Sequence, residues 1–337
     1  MQAEGWLRCA LLCSVALWSS TACDDDADET QNSSNASTRS SSSSSSRARR
    51  SSSASRDRDA GRDEREEEED VADAGRGRRE PGSDKLVPVT IRFVARLGSK
   101  ELTCRTQYTK VGAERSTVTL RDMRLFVQDV ALLDEDGEAV PVQLDVRKPW
   151  QSEEVALLDF EDVSGECGAG TPETNTKLTG RVPDRRYTGI RFSNGVPEAL
   201  NHADPDAQSD PLNSFADLSW GGKNGYRFAK IELLQLGPDA GGGHGLLHLG
   251  STACVSDAQS GSVKCEKPNR SRIELEPFDP SRDSIAIDIE PIFADVDLTQ
   301  TTDCRGTGEA CAPMFKAMGV DLSTGKPRAS QSVYSVE

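Results

Sequence analysis

Large apolar side chains are scarce in this chain. Of its 337 residues only 35% are hydrophobic and 5% aromatic, against an apolar share of roughly 45–50%, glycine included, in ordinary globular proteins. Some of the chain is therefore unable to pack. Basic excess is also missing: 40 Lys and Arg face 56 Asp and Glu, for a net charge of −16, which excludes nucleic acid as a partner because phosphate recognition rests on clustered cations. No CxxC spacing, no Gly-rich phosphate loop after a strand, no GxSxG and no HExxH occurs, which argues against thiolate zinc sites, phosphate-loop nucleotide binding and elbow-type hydrolases. Histidine is rarer still, so imidazole chemistry can rest only on His202, His244 and His248.

The missing apolar residues are missing from one place. Between Asp24 and Asp70 there is no Val, Ile, Leu, Met, Phe, Tyr or Trp, and such a segment cannot offset an ordering cost of about 1–2 kcal/mol per residue. Residues 24–86 read as a disordered linker with a serine run (Ser40 to Ser46), an Arg/Ser stretch and an acidic run (Glu66 to Asp70). Ahead of it, Arg8, the apolar stretch Cys9 to Trp18 and small residues up to Ala22 form an export signal over residues 1–23, too short to span a bilayer. Cys23 directly after Ala22 is the expected lipidation position, with the membrane reached through that lipid anchor. The expected location is the periplasm, the outer membrane or the cell surface.

From residue 87 to 337 the hydrophobic period is two. Val87, Val89, Ile91, Phe93 and Ala95 alternate with more polar neighbours, and Met123, Leu125 and Val127 repeat the pattern. Short runs at 130–133, 140–146, 155–160, 187–192, 226–236, 272–275 and 285–289 are separated by Gly, Pro, Asp and Asn clusters. The expected fold is all-β, a single antiparallel β-sandwich or barrel-like domain with disulfides. Only Cys311 to Met318 has helical spacing, through Met314, Phe315 and Met318. Six cysteines fall in this domain, and in an exported chain an even number reads as disulfides. Cys254 with Cys265 and Cys304 with Cys311 would close short loops, leaving Cys104 with Cys167.

Among the histidines, His244 and His248 are spaced as i and i+4. The glycines around them oppose a helix, and a straight strand holds such a pair roughly 13 Å apart, so sharing one ion requires a bend. Otherwise His248 would join His202, leaving His244 as a loop residue, and all three are also readable as bystanders. Asp204, Asp206 and Asp210 resemble the start of a calcium loop, but Ser209 and Phe215 stand where that loop needs Gly and Glu.

Several ordered runs carry a resemblance: 122–127 (Asp-Met-Arg-Leu-Phe-Val), Gly195-Val196-Pro197 with Leu200-Asn201-His202, Pro211-Leu212-Asn213, Gly225-Tyr226-Arg227-Phe228, His248 to Thr252 with Cys254, and Pro268-Asn269-Arg270. From about Val87 to Val320 the chain resembles the methanobactin-associated periplasmic (MbnP-like) family, also described as four-cysteine proteins of the metallo-mystery pair. The resemblance implies an exported copper-binding protein, not an enzyme, working as partner or substrate of a dihaem cytochrome c peroxidase-like protein that oxidises a tryptophan to kynurenine. Carried onto this sequence, it points to His202 and His248, more loosely to His244, and to Trp220 as the oxidisable residue. Gly222 stands where many relatives have a second tryptophan, a departure that bears on that oxidation. The competing expectations are a metal-free structural or adhesive surface module and a copper enzyme acting alone.

Overall fold

The computed structural model describes residues 83–168, 170–237 and 242–337. The expected signal peptide with Cys23, and the linker up to residue 82, lie outside the described residues. The first strand, Ser83–Leu97, begins a few residues ahead of the boundary suggested by composition, because Leu86 still pairs opposite Pro183.

The nine-stranded sheet is built around the 19-residue strand Ser116–Asp134. On one side lie Arg227–Leu236, His244–Gly250 and Thr302–Cys304; on the other lie Tyr187–Asn194 and Ser271–Leu275, while Val155–Asp159 also pairs with the central strand. Asp129, at φ 53°, and a register shift between Gln128 and Ala131 mark a bulge that bends this strand. The six-stranded sheet runs Tyr334–Val336, Ile285–Asp288, Ser83–Leu97, Lys177–Asp184 and Gln143–Leu144, with Lys100–Glu101 at the side of the first strand. Among the described residues pairing is antiparallel with two exceptions: Phe93 registers in parallel with Ile285, and Leu247 with Cys304. The fold is all-β, and the helical window expected near 311–318 is the short helix Ala312–Ala317, preceded by a 3-10 turn at Glu309–Cys311.

Period two decides what each sheet buries. Ile91, Phe93 and Ala95 from one sheet share a core with Met123, Leu125, Ile231, Leu247 and Leu249 from the other, each fully buried large side chain contributing about 1.5–3 kcal/mol. Phe192 meets Phe93 and Tyr334 edge-on at 5.8 and 5.3 Å. The alternate residues of the nine-stranded sheet face away from that core. There the segment following Gly195 folds over Phe126, Val155, Leu157 and Phe228 with Val196, Leu212, Phe215 and Tyr226, making a second apolar cluster. The disulfides are Cys104–Cys167, Cys254–Cys265 and Cys304–Cys311. The first closes a 63-residue separation, worth about 4 kcal/mol on the chain-entropy account.

Candidate metal site

The outward face of the nine-stranded sheet continues past the second apolar cluster as a buried row of charge. Asp122 and Arg124 on the central strand stand opposite Glu232 and Lys230, Arg124 also stands opposite Asp159, and His248 stands opposite Lys230. Arg124, 1% exposed, donates from Nε to Asp122 Oδ1 at 3.0 Å and from its NH2 nitrogen to Asp122 Oδ2 at 2.8 Å. Its other terminal nitrogen pairs with Asp217 at 2.9 Å. Burial opposes its charge, but the Asp122 hydrogen bonds outweigh that and hold the guanidinium above its usual range. Asp159 gains less from the same cation: burial pushes its carboxyl up to about 8, with the backbone N–H of Glu161 and the charge of Arg124 pulling the other way. Burial also raises Glu161.

His248 ends this row. Its Nε2 lies 2.7 Å from Glu232 Oε1, and its Nδ1 is buried with no hydrogen-bond partner among the described residues. Burial would raise the Glu232 carboxyl, but the His248 hydrogen bond, Lys230 and Arg121 hold it at about 2. A carboxylate that receives the Nε2 proton leaves the Nδ1 lone pair free, the arrangement in which carboxylates orient metal-binding imidazoles. Gly250 lies two residues further on the same face, about 7 Å along the strand. An added Cβ there would fall 2.5 Å from Trp220 Cζ3 and 2.7 Å from the Tyr226 carbonyl, so glycine is what allows the indole to lie on the strand.

The segment that carries Trp220 also carries His202. His202 ends the short helix Glu198–Asn201, and the fully buried Asn201 fastens this corner: its Oδ1 accepts from the Tyr226 N–H at 3.0 Å and its Nδ2 reaches Ser251 Oγ at 3.4 Å. The same Nδ2 is 2.9 Å from His202 Nε2, and Cys265 Sγ is 3.3 Å from that nitrogen. Burial lowers the pKa of His202, partly opposed by the Gly222 backbone and Glu198, so the neutral, ligating form is favoured. Nδ1 of this ring is buried without a fully formed hydrogen bond. Trp220 is half-buried, its Nε1 has no hydrogen-bond partner among the described residues, and the Arg227 guanidinium sits 4.9 Å from its ring centroid. Together with Ser251, Cys254 and Arg305 it lines a solvent-open cavity of about 400 Å³.

His244 stands apart. The strand His244–Gly250 keeps its register from Leu234 opposite His244 to Lys230 opposite His248, so the bend that would bring the two together does not occur, and about 13 Å separates them. His244 instead meets Arg121 at 3.2 Å. Asp204 caps a 3-10 turn through the Asp206 N–H at 3.1 Å, and Asp210 bonds Ser214, so these carboxylates are engaged in local turns. The charged row from Asp122 to His248, with Asp159 beside it, escaped sequence reasoning. Its signal was the i, i+2 spacing of opposite charges in Asp122–Arg124 and Lys230–Glu232, which places each pair on one strand face.

Comparison with known proteins agrees with this architecture. A sequence model of the MbnP family matches residues 87–308. The solved structure of MbnP from Methylosinus trichosporium resembles the chain with a TM-score of 0.67 at 28% identity, over 75% of this chain and 98% of that one. No curated protein matches.

Proposed function

The chain belongs to the MbnP family, and from that premise we propose that it is an exported copper-binding protein serving a dihaem cytochrome c peroxidase-like enzyme as partner and substrate. Family membership supports a methanobactin-associated, copper-related role. The observation that carries the reading to particular residues is His248, whose buried Nδ1 has no partner among the described residues while its Nε2 is held by Glu232. His202 is the second proposed ligand, kept neutral by burial. Imidazole nitrogens suit copper, which when bound would supply a one-electron redox centre.

The protein's own contribution is binding and presentation, with no catalysis by the chain alone. Trp220 is the proposed site of oxidation to kynurenine, with peroxide as the oxidant and oxygen source of the partner's reaction, water as its reduced product and the indole C2 leaving as formate on hydrolysis. Its indole lines a solvent-open cavity, from which electrons can pass to a docked haem protein. Gly222, at the position of the second family tryptophan, leaves Trp220 as the indole of this motif. The net charge of −16 would steer a partner that presents a basic face, making association weaker at high salt. Export through residues 1–23 and a lipid on Cys23 complete the proposal.

Titration of purified protein with Cu(I) against a chromophoric competitor tests it. About one equivalent should bind, falling in His202→Ala and His248→Ala, whereas less than about one-tenth equivalent refutes copper binding. Coexpression with a dihaem cytochrome c peroxidase-like protein should yield the mass change for exchanging one carbon for one oxygen, mapped to Trp220. An unmodified Trp220 refutes the substrate role.

A further inference from the structure

One disulfide differs from the other two in its access to solvent. Cys104, Cys167, Cys304 and Cys311 are each at most 3% exposed, closed to a reductant in solution. Cys254 and Cys265 are only partly buried and face each other across the ribbon formed by Thr252–Ser256 and Val263–Lys267, a two-stranded sheet of its own. Cys254 also lines the open cavity beside Trp220, so an attacking thiolate has a route to its sulfur.

Behind that disulfide stands His202. Its Nε2 is 3.3 Å from Cys265 Sγ, and one ligand atom from each of His202, Cys254 and Cys265 lies within 4.8 Å of the others. Among the described residues this is the one group of three histidine, cysteine or carboxylate side chains so placed. Sulfur in a disulfide is a poor ligand, whereas thiolates are strong ones. One imidazole and two thiolates make a donor set suited to soft Cu(I).

We propose that Cys254–Cys265 is a redox latch: an external dithiol opens it, and the two freed thiols join His202 in a tight Cu(I) site. The proposal rests on His202 being a copper ligand, as assigned above. In the opening step the dithiol's thiolate attacks one cysteine sulfur, the S–S bond breaks, and the resulting mixed disulfide is resolved by the second thiol. The dithiol loses two electrons and two protons to become a disulfide, and Cys254 and Cys265 gain them as thiols. Both thiols release their protons to solvent on binding Cu(I). The reverse exchange with an oxidised dithiol re-forms the bond and returns the ion to its weaker hold in the oxidised protein, so the redox state of the surroundings sets how tightly copper is held.

The test uses the full-length protein and Cu(I) as the probe. After mild treatment with dithiothreitol, alkylation and peptide mapping should find thiols at Cys254 and Cys265 with Cys104–Cys167 and Cys304–Cys311 intact. Cu(I) affinity, read against a chromophoric competitor, should rise about tenfold or more, with an ultraviolet thiolate-to-copper band. The double variant Cys254→Ser/Cys265→Ser, or the reduced protein with both thiols alkylated if the double variant does not fold, should show neither the gain nor the band. Prior reduction of another pair, an affinity unchanged on reduction, or a gain that survives removal of the cysteines overturns the latch. Absence of copper from the oxidised protein would instead refute the proposed function, and is read in a separate titration.

Discussion

Replacing Glu232 by Gln removes one negative charge from a point where His248 Nε2 at 2.7 Å, Lys230 Nζ at 3.5 Å and Arg121 Nε at 3.6 Å converge. Burial disfavours this carboxylate, yet its partners hold it at about 2, below the ordinary 4.5. That depression of about 2.5 units corresponds to about 3 kcal/mol, and the side chain, 9% exposed, is little screened by solvent. Because the folded-state value is depressed, the contribution is present above the unfolded value near 4.5 and fades as pH falls toward 2. Urea unfolding of the oxidised protein, wild type against Glu232→Gln, should show a gap of about 3 kcal/mol at pH 7, shrinking to about 1 kcal/mol at pH 2.5. Cu(I) affinity should fall about 10–100-fold at pH 7, because the neutral amide orients His248 less firmly. A gap below about 1 kcal/mol at pH 7, or one constant with pH, would refute the electrostatic reasoning. Unchanged copper affinity alongside the stability loss would confine His248 to a structural role.

Gly250→Ala would place a Cβ 2.5 Å from Trp220 and 2.7 Å from the Tyr226 carbonyl, costing about 1–3 kcal/mol; it should red-shift tryptophan emission and lower Tm, and no red shift would show that the indole does not rest there. Arg227→Met removes the guanidinium 4.9 Å from the Trp220 ring, and since a cation over an indole disfavours electron loss, oxidation of Trp220 by a one-electron oxidant should become several-fold faster by mass spectrometry, an unchanged rate counting against this tuning. Asp159, pushed up to about 8 mainly by burial, keeps a proton in the folded state that the unfolded chain has already lost above about pH 4. Stability should therefore fall between about pH 4 and 8, by at most about 1.4 kcal/mol per unit. Asp159→Asn should flatten that slope in thermal unfolding and be the more stable protein at pH 8; parallel pH profiles would contradict it.

Alternation makes a strand legible when one face is solvated, which is why Val87 to Ala95 stands out in the sequence. The strand Ser116–Asp134 is harder to see as one element because both of its faces are covered: its burial runs almost unbroken, the two-residue period fades, and a bulge at Asp129 splits the remaining pattern. The parallel pairing of Phe93 with Ile285 joins residues nearly two hundred apart, and nothing local encodes it. Loop closure, by contrast, is local, so the short pairs Cys254–Cys265 and Cys304–Cys311 follow from spacing.

The site divides along the same line. Scarcity singles out the histidines, and the spacing of His244 and His248 already implies that a straight strand separates them. Asp122, Arg124, Lys230 and Glu232 sit on the strand face that alternation assigns to solvent, and a reader of sequence leaves them there. In the fold the segment after Gly195 covers part of that face with Phe215 and Leu218, and Asp217, between them, closes on Arg124. The charges then have to satisfy one another in a buried row, since an unpaired charge there would cost several kcal/mol. The last two members of that row are Glu232 and His248, and their pairing occupies only one nitrogen of the ring. The other nitrogen is left buried without a hydrogen-bond partner among the described residues. The proposed copper role would use that nitrogen, and His248→Gln, whose amide can still donate to Glu232, should keep most of the stability while abolishing this residue's share of copper binding, a pairing of outcomes that thermal unfolding and Cu(I) titration can separate.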